Sequence, residues 1–144
     1  SVDCSTAHRI KANWKYYLSF IRNCDVCFMS KGKLSFRELD KLMKYVLAQG
    51  CHYVVSTLGR NGCYVVSKQE NLVVPSFSVK TVDTTGAGDA FQGGFIAGLL
   101  EKMKVSKIAE FANAVGALTV TAIGPRTSPN GEELEHFLRS KHRL

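Results

Sequence analysis

The chain has 144 residues, of which 45% are hydrophobic and 22% charged, and this composition is typical of a globular domain rather than a disordered segment. No apolar run approaches the roughly 20 residues that span a bilayer, so no membrane contact is expected. The net charge is +7, but the basic residues are spread along the chain instead of forming one stripe, which disfavours a nucleic-acid partner.

The first half of the chain alternates between helical and strand periodicity. A helix is predicted around Trp14–Ile21, and the short apolar run Val26–Met29 is typical of a buried strand. Ser35 and Glu38 have the spacing of a capping box. The apolar residues that follow recur at helical spacing as far as Leu47, and Gly50 stands where a helix terminator belongs.

A hairpin and a further short strand are predicted next. Tyr53–Thr57 is rich in β-branched residues, the turn spans residues 59–62, and Tyr64–Val66 returns as the second strand. Leu72–Val74 is a further short strand before Pro75.

The second half is predicted to be mainly helical. One apolar helix spans Ala90–Leu100 and a second spans Ile108 to about Val120. A second capping box at Asn130–Glu133 begins a short terminal helix through Leu138. Together with the first half, the alternation of strands and helices predicts an α/β layer fold with parallel strands, in one domain over residues 1–144.

The five cysteines are expected to be buried, reduced thiols of a cytoplasmic protein. Cys24 and Cys27 have the spacing of a redox or zinc motif. Zinc would need a second close pair of ligands, and Cys51 and Cys63 lie far apart in the sequence. Because Cys27 also falls within an apolar run, packing is favoured over a metal or redox role.

The segment from Asp83 to Gly94 contains the candidate catalytic and anion-binding residues. Gly86, Ala87 and Gly88 are predicted to precede a helix, where small residues let an anion approach unsatisfied backbone N–H groups. Asp89 falls in the first turn, where the helix dipole favours a carboxylate. A glycine-rich turn built for close packing would explain the glycines, but not the acids that flank them.

An anion-binding turn beside a carboxylate suits phosphoryl transfer, because the N–H groups stabilise the transferring phosphoryl group and the carboxylate accepts the proton of the attacking hydroxyl. Other glycine motifs fit less well. A dinucleotide fingerprint needs a third glycine where Phe91 stands, and a P-loop needs Lys and Ser or Thr where Gly94 and Phe95 follow Gly93.

Residues 83–94, Asp-Thr-Thr-Gly-Ala-Gly-Asp-Ala-Phe-Gln-Gly-Gly, resemble the C-terminal signature of the ribokinase-like (PfkB-type) carbohydrate kinases. The resemblance extends to residues 55–62, 111–117 and 124–128. It implies a ribokinase-like, Rossmann-type layered sheet with helices on both faces. The chain would be the C-terminal, nucleotide-binding half of this fold, with the N-terminal substrate and lid half absent.

The family resemblance implies ATP-dependent phosphorylation of a sugar hydroxyl. Asp89 would be the general base, and Gly86, Ala87 and Gly88 would form the anion hole. The residues implied at the nucleotide are Thr57, Gly59, Gly62 and Asn113. A monovalent cation, usually K⁺, would be held by oxygens of Asp83, Thr85, Thr119, Ala122, Gly124 and Ser128.

Two departures from the family pattern leave alternatives open. Ser30 and Lys33 stand where the family has the Asn and Glu of an Asn-x-x-Glu motif, which puts the handling of Mg²⁺ in doubt. A parallel sheet cut at its middle would need an upstream segment, a partner or a homodimer to cover its edge. A catalytically inactive nucleotide-binding remnant, or a truncated kinase fragment, is therefore the alternative to a sugar kinase with sugar and ATP as its partners.

Overall fold

The computed structural model describes residues 2–7, 13–124 and 129–141. These residues form two compact units, divided between Val73 and Val74, and each unit is described by itself. The prediction of a single domain over residues 1–144 stays a prediction. In the described residues, no helix combines the length and apolarity needed to cross a bilayer.

The first unit is built on a mixed sheet of five strands in the order β1-β2-β3-β4-β5, and Val74, the last residue of β5, is the first residue of the second unit. The strands are β1 (Val2–Thr6), β2 (Val26–Ser30), β3 (Tyr53–Thr57), β4 (Cys63–Ser67) and β5 (Asn71–Val74). Strands β1, β2 and β3 are parallel, and β4 pairs with β3 in the antiparallel direction. The parallel strands and the hairpin predicted from the sequence are therefore confirmed.

Two helices connect the parallel strands, α1 (Trp14–Ile21) between β1 and β2 and α2 (Phe36–Leu47) between β2 and β3. The capping box at the start of α2 is present, because Ser35 Oγ accepts from Glu38 N and the Glu38 carboxylate accepts from Ser35 N. Helix α2 turns Leu39, Met43 and Val46 into the core of the unit. The predicted buried run in β2 is also confirmed, since Val26–Met29 is buried at every position.

The second unit contains the helices α3 (Ala87–Leu100), α4 (Val105–Thr119) and α5 (Gly131–Lys141). Helix α3 begins three residues before the predicted Ala90, so only Gly86 precedes it, and the prediction that Ala87 and Gly88 precede the helix is wrong. Helix α4 begins three residues before the predicted Ile108. Its N-cap, Lys104, makes no side-chain cap hydrogen bond, so no capping residue marks the helix start in the sequence. The predicted reciprocal cap between Asn130 and Glu133 is confirmed.

Helices α3 and α4 approach closely because α3 has glycines on the face between them. A Cβ atom on Gly94 would lie 3.1 Å from Val115 Cγ2 and 3.2 Å from Ala112 Cα. A Cβ on Gly98 would lie 3.1 Å from Ile108 Cγ1. Phe95, which is fully buried, lies between these glycines in the sequence and anchors the same helix. The absence of side chains at two successive turns therefore sets the separation of the helices.

This packing predicts opposite effects for neighbouring glycines of α3. Gly94→Ala should lower the free energy of unfolding by about 1 kcal/mol, since overpacking against the Ala112 backbone outweighs the gain in helix propensity. Gly93 is exposed, and a Cβ there would meet nothing within 4 Å, so Gly93→Ala should raise the free energy of unfolding by about 0.5–1 kcal/mol. Urea unfolding of both variants tests this, and shifts of the same sign would contradict it.

Candidate active site

The N-terminus of α3 is open where the starts of α2 and α5 are closed by side chains. Its N-cap, Gly86, has φ 79° and ψ −5° and makes no side-chain cap hydrogen bond within the described residues. This left-handed conformation suits glycine. The first turn closes when Ala90 N donates to the Gly86 carbonyl at 2.9 Å. A helix end that no side chain caps leaves backbone donors for solvent or a ligand.

The donors of this first turn are not equivalent. Ala87 N donates to the Thr84 carbonyl at 3.3 Å. Gly88 N and Asp89 N make no hydrogen bond to the backbone of the described residues, as is usual for the first turn of a helix. A Cβ on Gly88 would meet nothing within 4 Å, so the space beside its backbone is open. The arrangement can accept an anion at Gly88 and Asp89.

Asp83 fixes the loop that leads into α3. Its Oδ1 accepts from Thr85 N at 2.9 Å, and its Oδ2 accepts from Gly124 N at 3.1 Å. The hydrogen bond from the Thr85 backbone, followed by those from the Thr85 side chain and the Gly124 backbone, holds the pKa of the Asp83 carboxyl below its ordinary value of 3.8. One carboxylate therefore joins this loop to the segment that follows α4.

Further backbone contacts hold the same region. Val82 N and Asp83 N both donate to the Val120 carbonyl, at 2.7 and 3.3 Å. On α4, a Cβ at Gly116 would lie 3.4 Å from the Ala87 carbonyl oxygen, so a glycine also sits beside the start of α3. Gly116 lies within the stretch 111–117 that resembles the family, whereas no sequence pattern pointed to Val120 as a contact of the loop before α3.

Asp89 is the third residue of α3 and its side chain is exposed. Its carboxylate makes no hydrogen bond or ion pair within the described part of the chain. In a capping box, an acid at this helical position reaches back to the N-cap N–H. Here it does not, so the carboxylate can accept a proton from a molecule placed at the end of the helix.

The proposed cation ligands are only partly brought together. Asp83, Thr85 and Gly124 meet through the hydrogen bonds of the Asp83 carboxylate. Thr119 is buried, and its hydroxyl donates to the Val115 carbonyl of the same helix at 2.9 Å. Ala122 is exposed near the end of the same segment, and Ser128 lies outside the described residues.

Three of the four expected nucleotide residues surround the β3–β4 turn in the first unit. Thr57 ends β3, and Gly59 and Gly62 have φ values of 62° and 94°. The turn is closed by Leu58 N, which donates to the Gly62 carbonyl at 2.8 Å. Ser30, at the end of β2, is the register partner of Thr57, and the exposed Lys33 follows in the next loop.

Asn113 lies on α4 in the second unit and is buried. Its Nδ2 donates to the carbonyls of Val74 and Pro75, at 3.0 and 3.2 Å. The side chain therefore holds the segment that enters the second unit. Its expected place near the nucleotide stays a prediction.

A family model described as pfkB family carbohydrate kinase matches residues 15–132. The chain belongs to this family. Ribokinase of Haemophilus influenzae is 37% identical over 91 residues, which cover 62% of this chain and 30% of the relative. Fructokinase-1 of Zea mays is 43% identical over 120 residues, covering 74% of this chain and 37% of the relative.

Solved structures of pfkB-type kinases share the fold. A ribokinase from Thermotoga maritima superposes with a TM-score of 0.76 at 30% identity, covering 85% of this chain and 44% of that one. A protein described as a ribokinase II of E. coli, in complex with ATP and Mg²⁺, has a TM-score of 0.79 at 28% identity, covering 93% and 45%. The chain thus spans less than half the length of each of these relatives.

The Asp83 contacts predict a stability difference that depends on pH. A carboxyl whose pKa is lowered by folding stabilises the folded state above its unfolded pKa, and this contribution is lost as the pH falls through the lower, folded value. Asp83→Asn should therefore lower the urea midpoint at pH 7, because an amide cannot accept from both N–H groups. The difference from the parent protein should shrink below pH 3.8.

Glu101→Gln, at an exposed carboxylate beyond the other end of α3, is the matched control and should change the urea midpoint little at either pH. A difference between Asp83→Asn and the parent that stays constant from neutral to acid pH would contradict the role given to the ionised carboxylate.

Proposed function

We propose that this chain carries the phosphate-binding and proton-accepting part of an ATP-dependent sugar kinase. The observation that carries the proposal is the open, glycine-led N-terminus of α3 with the Asp89 carboxylate in its first turn. Membership of the pfkB family supports it, as does the description of a related E. coli structure as a complex with ATP and Mg²⁺.

In the proposed reaction, a sugar hydroxyl lies between Asp89 and the γ-phosphate of ATP. Asp89 accepts the hydroxyl proton as the oxygen bonds to the γ-phosphorus, and the bond from that phosphorus to the bridging oxygen breaks to release ADP. The Gly88 and Asp89 N–H groups donate to the phosphoryl oxygens while charge builds up on them. Because these donors belong to a packed helix, they need little reorganisation when the reaction occurs.

The Ala87 N–H is assigned a smaller part in the anion hole, because it already donates to the Thr84 carbonyl. Gly86 contributes by conformation, since its left-handed backbone brings the loop into line with the helix. The family signature implies an anion hole at Gly86, Ala87 and Gly88. We propose instead that its main N–H donors are those of Gly88 and Asp89 in the first turn of α3.

Nucleotide binding is proposed at Thr57, Gly59 and Gly62. A Cβ on Gly59 would meet nothing within 4 Å, so the space beside its backbone is open, whereas Gly62 is buried. The side-chain amide of Asn113 donates to the carbonyls of Val74 and Pro75. We therefore propose that Asn113 contributes to nucleotide binding by positioning this segment. The sugar is proposed only as a class, because the relatives' names include ribose, fructose and riboside kinases.

The residues present fit a monovalent cation better than a protein-bound Mg²⁺. The Asp83 carboxylate accepts from the N–H groups of Thr85 and Gly124, and it is proposed to hold K⁺ together with carbonyl oxygens of the same two segments, because hard cations prefer oxygen ligands. A bound K⁺ would supply positive charge beside the phosphates. In the described residues, no three His, Cys, Asp or Glu side chains come together as a metal site. Lys33 also removes the family's carboxylate, so any Mg²⁺ would be held mainly by the nucleotide.

A second candidate function is nucleotide binding without phosphoryl transfer, and the observation that favours it is Lys33 in place of that carboxylate. A long basic side chain could instead contact phosphate directly. The partners proposed are ATP and a small sugar, with a homodimer or a further segment covering the β1 edge. A cytoplasmic location is proposed from the cysteine pattern of the sequence, because five cysteines at irregular spacing do not resemble the paired framework of a secreted disulfide scaffold.

Replacement of Asp89 separates the two functions. In any form of the protein that phosphorylates a sugar, Asp89→Asn should lower kcat by roughly 10²–10⁴-fold, because the general base is lost, while the Kd for ATP changes by less than about threefold. Coupled ADP release measures the rate, and calorimetry measures the affinity.

Glu101→Gln again serves as the control, since it removes a carboxylate from the far end of the same helix. Its rate and affinity should match the parent protein. If Asp89→Asn kept near-normal turnover, Asp89 would be only a residue that stabilises the helix N-terminus, and the proposed mechanism would be wrong.

A further inference from the structure

Two cysteine side chains that are distant in the sequence meet at one end of the first unit's sheet. Cys24 Sγ and Cys51 Sγ lie 3.4 Å apart. Both thiols are also within hydrogen-bonding distance of one acceptor, the Ile21 carbonyl, at 3.4 Å from Cys24 and 3.3 Å from Cys51. The thiol neighbour of Cys24 is therefore Cys51, rather than the Cys27 that the sequence spacing singled out.

The backbone geometry also favours a bond between these two residues. Strands β2 and β3 pair in parallel, with Val26 opposite Tyr53, and Cys24 and Cys51 share the same offset two positions earlier. Backbone hydrogen bonds extend the pairing beyond the strand ends towards the two cysteines, since His52 N and Tyr53 N donate to the Asp25 carbonyl at 2.8 and 3.0 Å. Adjacent strands lie about 4.8 Å apart, which falls within the roughly 4.4–6.8 Å between Cα atoms that a disulfide spans.

The two sulfurs differ in access. Cys24 is only partly buried, whereas Cys51 is fully buried. An oxidant from solvent therefore reaches Cys24 first, and Cys51 is the thiol placed to react next. Cysteines that form reversible disulfides are typically accessible to solvent and lie beside a second thiol, which reacts with the oxidised sulfur. Cys24 and Cys51 have this arrangement.

We infer that Cys24 and Cys51 form a peroxide-oxidisable dithiol. The Cys24 sulfur attacks one oxygen of hydrogen peroxide, the O–O bond breaks, and the products are a Cys24 sulfenic acid and water. The Cys51 sulfur then attacks the Cys24 sulfur, and the hydroxyl group leaves with the thiol proton as a second water. Two thiols are oxidised to one disulfide, and one peroxide molecule is reduced to two waters.

The disulfide would join the segments that precede β2 and β3. It closes the loop from residue 24 to residue 51, which contains all of β2 and α2 and would otherwise be unrestrained in the unfolded chain. The strands run for about six residues, or about 20 Å, before they reach Ser30 and Thr57. The modification site is therefore at the opposite end of the sheet from the proposed nucleotide contacts.

Peptide mapping tests the inference directly. The reduced 144-residue chain is treated with hydrogen peroxide, blocked with N-ethylmaleimide and digested without reduction by trypsin followed by Asp-N protease. Trypsin cuts after Arg22, Lys31, Lys44 and Arg60, and Asp-N cuts before Asp25, so Cys24 and Cys27 fall in different peptides. We expect the peptide 23–24 to be joined to the peptide 45–60.

Thermal unfolding gives a second readout. Oxidation should raise Tm by on the order of 10 °C, and dithiothreitol should reverse the shift. Cys24→Ala should abolish both the link and the shift. Cys63→Ala is the matched control, because it removes another buried thiol and should keep both.

In the Cys51→Ala variant the sulfenic acid cannot be resolved by Cys51, so a dimedone adduct is expected on Cys24. A disulfide between Cys24 and Cys27, disulfides between chains only, or peroxide-treated protein in which residues 24 and 51 stay unlinked would each overturn the inference. The mapping of the parent chain decides this even where a variant fails to fold.

Discussion

The proposed function depends on one set of backbone donors, the N–H groups in the first turn of α3. In the absence of a side-chain cap these groups carry the positive end of the helix dipole, and two of them, Gly88 N and Asp89 N, donate to no backbone acceptor in the described residues. An anion placed there is stabilised by donors that are already aligned. The other features of the second unit can be understood as the means of holding this turn in place and keeping it open.

Three kinds of contact hold it. The glycines of α3 let α4 approach closely, and Gly116 brings α4 beside the Ala87 carbonyl. The Asp83 carboxylate spans from the loop before α3 to Gly124 beyond α4, a separation of 41 residues in the sequence. Since each of these contacts depends on a small residue or a backbone N–H, the first turn is positioned without a bulky side chain that would compete with a ligand for the space.

Periodicity and caps were sufficient to predict the element types. The buried strand β2, the hairpin after β3 and both capping boxes follow from local patterns, and the structure confirms them. The start of α3 was predicted too late, because glycine has low helix propensity and residues 86–88 therefore resemble a loop. Packing of the helix on α4 outweighs that propensity, and packing is not visible in a local pattern.

Contacts between distant residues were beyond the sequence argument for the same reason. The motif placed Asp83 beside the glycines, but its second partner, Gly124 N, depends on where the segment after α4 passes. Likewise, Cys24 and Cys51 meet only because β2 and β3 pair in parallel with a particular register. Asn113 was assigned from a resemblance, whereas its buried amide contacts depend on tertiary structure.

The central claim is that nucleotide phosphates bind at the N-terminus of α3. Titration of the ¹⁵N-labelled chain with ADP and ATP, followed by amide chemical shifts, tests it most directly. The account predicts the largest changes at Gly86–Asp89, with further changes at Thr57–Gly62, and larger changes with ATP than with ADP at the helix end. Changes confined to basic residues of α1 and α2, such as Lys15, Lys41 and Lys44, with none at Gly86–Asp89, would contradict it.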